Sequence, residues 1–163
     1  MERLWSPWRA KYLASADDPQ AEGCVFCHVA RDEANDETHF VVYRAQHAFV
    51  VLNLYPYISG HLLIIPYLHT GEFDSLSKEI SDEMMDLAKR SQTALREVYK
   101  PQGFNMGMNL GKAAGAGIVD HVHIHMLPRW GGDTNFMTTV AEARVLPEDL
   151  PTTYSKLRVK FNP

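Results

Sequence analysis

Residues 121–127 read HVHIHML, histidines in strict alternation with apolar residues. On a β-strand successive side chains point to opposite faces, so this spacing predicts His121, His123 and His125 on one face, with Val122, Ile124 and Met126 in the core. At a rise of roughly 3.3 Å per residue, neighbouring imidazoles stand about 6.6 Å apart along such a strand. They are close enough to share one site but too spread for all of them to ligate one metal, so the rungs are expected to have different roles. Three readings fit such a ladder: a metal site, a nucleophile or acid–base site, and satisfied structural histidines. The preceding stretch, GKAAGAG at 111–117, is poor in side chains and lets backbone N–H groups approach an anion. That neighbour favours a phosphate held against a nucleophile. Neutral imidazole attacks phosphorus competently, and with an ordinary pKa of about 6.5 it is largely neutral at neutral pH. The expected intermediate is a phosphoramidate, with a neighbouring histidine, in its protonated form, stabilising the departing phosphate.

The chain has two cysteines, Cys24 and Cys27 in CVFC, too few for a disulfide framework. A redox CxxC usually opens a helix after a strand, whereas this pair follows the turn-rich DDPQAEG, so metal binding is favoured. With 163 residues and 45% hydrophobic content, the chain is expected to form one domain over 1–163, with 1–23 as an N-terminal arm and 144–163 as a C-terminal extension. Trp5, Trp8, Arg9 and Tyr12 show no clean period and read as an arm draped over the domain or across a subunit boundary. No apolar run approaches the roughly 20 residues of a membrane span, and MERLWSPWRAKYL lacks the apolar core of a secretory signal. The expectation is a cytoplasmic protein with no membrane partner. A net charge of -4 leaves no basic footprint for a nucleic-acid polymer, while a small phosphorylated ligand stays open.

The elements that position these residues are legible in outline. FVVYR (40–44) and HAFVVLNL (47–54) read as strands around a short turn, and HLLIIP (61–66) as a third after the turn from Pro56 to Gly60. From Ser77 to Lys100, Ile80, Met84, Leu87, Ala88, Ser91, Leu95 and Val98 recur at helical spacing, with Ser77 as N-cap and Pro101 as stop. FNMGMNL (104–110) alternates as a strand, and the histidine strand closes the set. About five strands with one long helix predict an antiparallel α+β domain. PEDLPTTYSKLRVKF near the end holds a short helical pattern that its prolines interrupt.

HVHIHML resembles the signature of the histidine triad family, and VLNLYPYISGHLLIIPYLH, GFNMGMNLGKAAGAGIVDH and HMLPRW extend the resemblance over most of the chain. It implies an α+β fold paired into a homodimer, and attack on the α-phosphate of a nucleoside polyphosphate or phosphoramidate. By this resemblance His123 is the nucleophile that becomes nucleotidylated, and His125 contacts phosphate and leaving group. Asn53 falls where the family holds ribose hydroxyls, His61 resembles a supporting histidine, and Asn109 matches an amide near the phosphates. Where many members carry a Gln or Ser before the triad, this chain has Gly115, Ala116 and Gly117, which leaves the backbone as phosphate donor.

Zinc-bearing members use a CxxC pair, a histidine after an IPxxH element and the first triad histidine. The matching residues are Cys24, Cys27, His69 and His121, and the resemblance implies a closed, structural Zn2+ site. His28, His39 and His47 have no counterpart role and read as surface residues. RLWSPWRAKYL, LNLYPY, GFNMGMNLGKAAG and PRWGGDTNF resemble the bacterial branch associated with diadenosine tetraphosphate phosphorylase. That branch implies a dinucleoside polyphosphate substrate, split by phosphorolysis or hydrolysis, with Trp130 as a stacking surface for a base. The alternatives are a nucleoside phosphoramidase and a nucleotide-binding module with negligible turnover.

Overall fold

A computed structural model describes residues 23–133 and 146–162. The arm residues Trp5, Trp8, Arg9 and Tyr12 lie outside the described residues, as does the start of the C-terminal extension. The described chain forms a five-stranded antiparallel sheet from β1 (Val41–Arg44), β2 (Ala48–Leu52), β3 (Leu62–Pro66), β4 (Gly103–Gly107) and β5 (Ile124–Arg129), in the order β1-β2-β3-β5-β4. Three helices accompany it: α1 (Val25–Arg31), α2 (Lys78–Tyr99) and α3 (Leu150–Phe161). The predicted α+β class is therefore present. Among the described residues no helix is long and apolar enough to cross a membrane.

β2 and β3 are buried along their whole length because both faces of the sheet are covered. One face carries Val50, Leu52, Leu62, Ile64, Ile124 and Met126 against α2 and α3. α2 follows the predicted period, burying Met84, Leu87, Ala88, Ser91 and Leu95, and Ser77 caps it by accepting from the Ile80 N–H. The opposite face carries Val51, Leu63 and Ile65 against Phe26 and Val29 of α1.

Several boundaries differ from the sequence expectation. β4 ends at Gly107 rather than continuing to Leu110. α3 is a full helix of 12 residues: Asp149 caps it, and Pro151 sits in the first turn, where its missing N–H has no helical partner to lose. CVFC opens a helix that the sequence pattern does not announce, with Cys24 at the N-cap of α1. The histidine strand begins only at Ile124. The register that pairs Leu62 with Met126 and Ile64 with Ile124 would set Pro66 against Val122, and Pro66 has no N–H to extend the ladder. Val122 donates instead to Thr70 O at 2.8 Å. This departure turns His121 toward the loop that carries His69.

Candidate functional site

The triad lies on the sheet face opposite α2, under α1. Phe26 meets His121 and His123 edge-on, with ring centroids 5.5 and 5.0 Å away, and His123 stands 4.8 Å from His125. His121 and His123 are buried and His125 is half-buried. The expected alternation of faces is kept, but the imidazoles occupy a walled pocket rather than an open ladder.

Hydrogen bonds fix which nitrogen of each ring carries its proton. A carbonyl oxygen only accepts, so His123 Nδ1–H donates to His121 O at 3.0 Å, leaving the lone pair on Nε2, which has no partner among the described residues. His61 Nδ1 accepts from the Tyr57 N–H and from Asn53 Nδ2, both at 3.2 Å, so its proton sits on Nε2. That Nε2–H donates to His125 Nδ1 at 2.9 Å. His125 is left with its proton on Nε2, a buried atom with no partner among the described residues. A buried, unsatisfied N–H beside a free imidazole lone pair is suited to an anionic oxygen bonded to an electrophilic centre.

Electrostatics hold this pattern in place. Burial, then the neighbouring His125 and His123, pushes the His61 pKa down to about 3, and burial, then His123, pushes His125 down to about 4. Burial lowers His123 as well, against the opposing hydrogen bond to His121 O. All three rings are thus neutral at neutral pH. The sequence expectation of a protonated neighbour is corrected here: His125 offers a neutral N–H donor, because a buried imidazolium among other imidazoles is too costly.

The other candidates are distributed unevenly. Asn53 is bound to the Tyr55 N–H through Oδ1 at 3.0 Å, in addition to its bond to His61. Gly107 faces His125 across the β4–β5 register, and Asn109 lies two residues past the end of β4, in the segment leading to the 111–117 loop. Gly115 and Ala116 direct their N–H groups into the loop's own turns, to Lys112 O at 3.0 Å and Gly111 O at 3.4 Å. The Gly117 N–H has no partner among the described residues. Trp130 follows the far end of β5, five positions or about 16 Å along the strand from His125, and meets Tyr99 edge-on at 6.3 Å.

Residues without a sequence signal also build the site. Phe26 walls two histidines, and Tyr57 stacks on His125 with ring planes 18° apart. Tyr57 lies in the YPYISGH turn, and a ring four residues before a histidine is the one cue that marks it.

A second cluster joins the start of the triad to α1. Cys24 Sγ lies 3.3 Å from His121 Nδ1, Cys27 Sγ 3.2 Å from His69 Nδ1 and 3.7 Å from His121 Nδ1, and the two Nδ1 atoms are 3.3 Å apart. A tetrahedron with Zn–N near 2.05 Å and Zn–S near 2.3 Å has edges of about 3.3 to about 3.8 Å, so the donor spacing fits. The donor set fits too. His121 Nε2–H donates to Pro66 O at 2.8 Å, which turns the Nδ1 lone pair toward the sulfurs. Burial and then the Cys24 sulfur push the Cys27 thiol pKa up, a crowding that a dication relieves. Gly71 admits this close approach: a Cβ there would meet Val119 O at 2.7 Å, in the segment leading to His121.

Residues 34–132 match the model of the HIT domain. The chain is 38% identical over 167 residues to a protein named AP-4-A phosphorylase from Mycobacterium tuberculosis H37Rv, covering 99% of this chain and 85% of the relative. It is 31% identical over 130 residues to the Adenosine 5'-monophosphoramidase of Saccharomyces cerevisiae, covering 79% of this chain and 77% of that protein. Among solved structures, a zinc-bound histidine triad family protein from Mycobacterium smegmatis superposes with a TM-score of 0.69 at 30% identity, covering 86% of this chain and 94% of the other.

Proposed function

From the premise that this chain belongs to the HIT domain family, we propose that it cleaves dinucleoside polyphosphates such as diadenosine tetraphosphate, by attack of His123 Nε2 on an α-phosphorus. The observation that carries this reading is the pairing of a free lone pair on His123 with an unsatisfied Nε2–H on His125. The His123 lone pair forms a P–N bond as the P–O bond to the leaving polyphosphate breaks, and the electron pair departs on that oxygen. With a last phosphate pKa of about 6, such a leaving group departs as an anion and needs a hydrogen-bond donor rather than a proton. His125 Nε2–H supplies that donor to the developing charge, and Asn53 and Tyr57 hold it there through His61. A second acceptor then attacks the nucleotidyl-histidine and restores the ring.

Phosphate as that acceptor gives ADP and ATP from diadenosine tetraphosphate, whereas water gives AMP and ATP. The phosphorylase name of the Mycobacterium tuberculosis relative favours phosphate. Incubation with diadenosine tetraphosphate, with and without inorganic phosphate, tests both points. ADP appearing only when phosphate is present is expected, and turnover by His123→Ala at the wild-type rate contradicts the reading. The phosphoramidase reading rests on the yeast relative, and turnover of adenosine 5'-phosphoramidate faster than the dinucleotide would favour it.

Cys24, Cys27, His69 and His121 would hold a structural zinc ion, whose chemistry is to clamp α1 to the start of the triad. We assign the homodimer of the family to the β4 edge, where Asn105, Met106 and Gly107 are exposed and one side of the strand has no paired strand among the described residues.

A further inference from the structure

A separate set of metal-ligating side chains gathers at the C-terminal end of α1. His28 and Asp32 are four residues apart, which brings both to one side of the helix end, and the short turn at Glu33–Asn35 returns the chain so that His39 joins them. Each offers one donor atom, and the three atoms lie within 4.8 Å of one another. Asp32 Oδ2 stands 2.8 Å from His39 Nε2, and the His28 and His39 rings meet edge-on with centroids 5.4 Å apart.

Two features distinguish this cluster from a chance surface pairing. The carboxylate is already oriented: Asn35 Nδ2 donates to Asp32 Oδ1 at 2.8 Å, and the His39 N–H donates to Asn35 O at 3.0 Å. Outer partners of this kind fix a ligand before metal arrives. The helix end beneath is also held, because Arg44 donates to Val29 O at 2.8 Å and Ala30 O at 3.0 Å while pairing with Asp36 at 2.7 Å. Two imidazoles and one carboxylate suit borderline divalent metals such as zinc or nickel, whereas magnesium and calcium prefer oxygen alone. His28 is exposed while Asp32 and His39 are half-buried, so the remaining coordination positions face water.

We infer that His28, Asp32 and His39 form a second, exchangeable site for a borderline divalent metal ion, completed by water. The ion takes the place between His39 Nε2 and Asp32 Oδ2, binding the Nε2 lone pair while the single ring proton of the neutral imidazole sits on Nδ1. Cys27 and His28 are consecutive, so both metal clusters touch the same short helix. Filling the outer one ties α1 to the loop ending at His39 and steadies the wall that Phe26 forms against His121 and His123.

The test is calorimetric titration of Zn2+ into protein already loaded with zinc and dialysed free of excess metal, with Mg2+ as the control cation. A further step of one ion per chain is expected with Zn2+ and absent with Mg2+. His28→Ala, on an exposed position, and Asp32→Asn should each weaken it by more than the roughly tenfold that loss of an outer partner costs. Cys24→Ser should keep it. Far-UV circular dichroism establishes that each variant is folded. No further step in the wild type, or a step of unchanged affinity in both His28→Ala and Asp32→Asn, overturns the inference. Dinucleotide cleavage is not read, so the outcome is independent of the proposed reaction.

Discussion

The neutrality of His61 makes a prediction that can be worked through to a number. Burial and its histidine neighbours hold its folded pKa at about 3, while an unfolded chain restores the ordinary value of about 6.5. The unfolded state therefore takes up the proton first as pH falls. This contribution to stability is whole above about pH 6.5 and is lost progressively down to about pH 3. At pH 5 the loss is about 2 kcal/mol, and the full shift corresponds to about 5 kcal/mol, against a total stability typically of 5–15 kcal/mol. The perturbation is His61→Gln, which keeps a polar side chain but removes the titration. Urea unfolding of both zinc-loaded chains at pH 8, 6.5 and 5, followed by far-UV circular dichroism, separates this group from all others, because shared titrations cancel in the difference. Between pH 8 and 5 the wild type should lose about 2 kcal/mol more than the variant. Parallel losses would mean that His61 is protonated in the fold. The proton assignments that end on His125 Nε2 would then fail.

Other expectations follow from the same geometry. His125→Ala removes the donor to developing charge and should lower kcat by about 100- to 1000-fold with a smaller effect on KM, as seen in steady-state rates. Asn53→Ala leaves the Tyr57 N–H as the remaining donor to His61 Nδ1 among the described residues and should cost about 1 kcal/mol of transition-state stabilisation, or about fivefold in kcat/KM. Phe26→Ala opens the wall beside His121 and His123 and should destabilise the fold by about 3–5 kcal/mol in denaturant titration. Cys24→Ser should abolish tightly held zinc after exhaustive dialysis while His123→Ala retains it, measured by elemental analysis.

Much of the scaffold could be read from periodicity. The spacing from Ile80 to Leu95 gave α2 its buried face, and the apolar runs around 41–66 gave three strands, because these signals are local. What failed was set by partners distant in sequence. The histidine strand shortened because Pro66 cannot donate across the sheet, a fact legible only once the β3–β5 register is known. α1 was missed because its short apolar face, Phe26 and Val29, is buried by strands β1 to β3 rather than declared by a long period. The alternation at 121–125 identified which side chains share a site, whereas the division of labour among them rests on two carbonyls, an amide and a backbone N–H that no spacing rule reports.

The central claim is that His123 Nε2 bonds covalently to the α-phosphorus during turnover. Rapid acid-free quenching of enzyme mixed with diadenosine tetraphosphate in the absence of inorganic phosphate, followed by peptide mass spectrometry, reads it directly. An AMP unit on the peptide carrying His123, formed as ATP is released and discharged on adding phosphate, is the predicted result. Turnover with no adduct, or an adduct on another side chain, would contradict it.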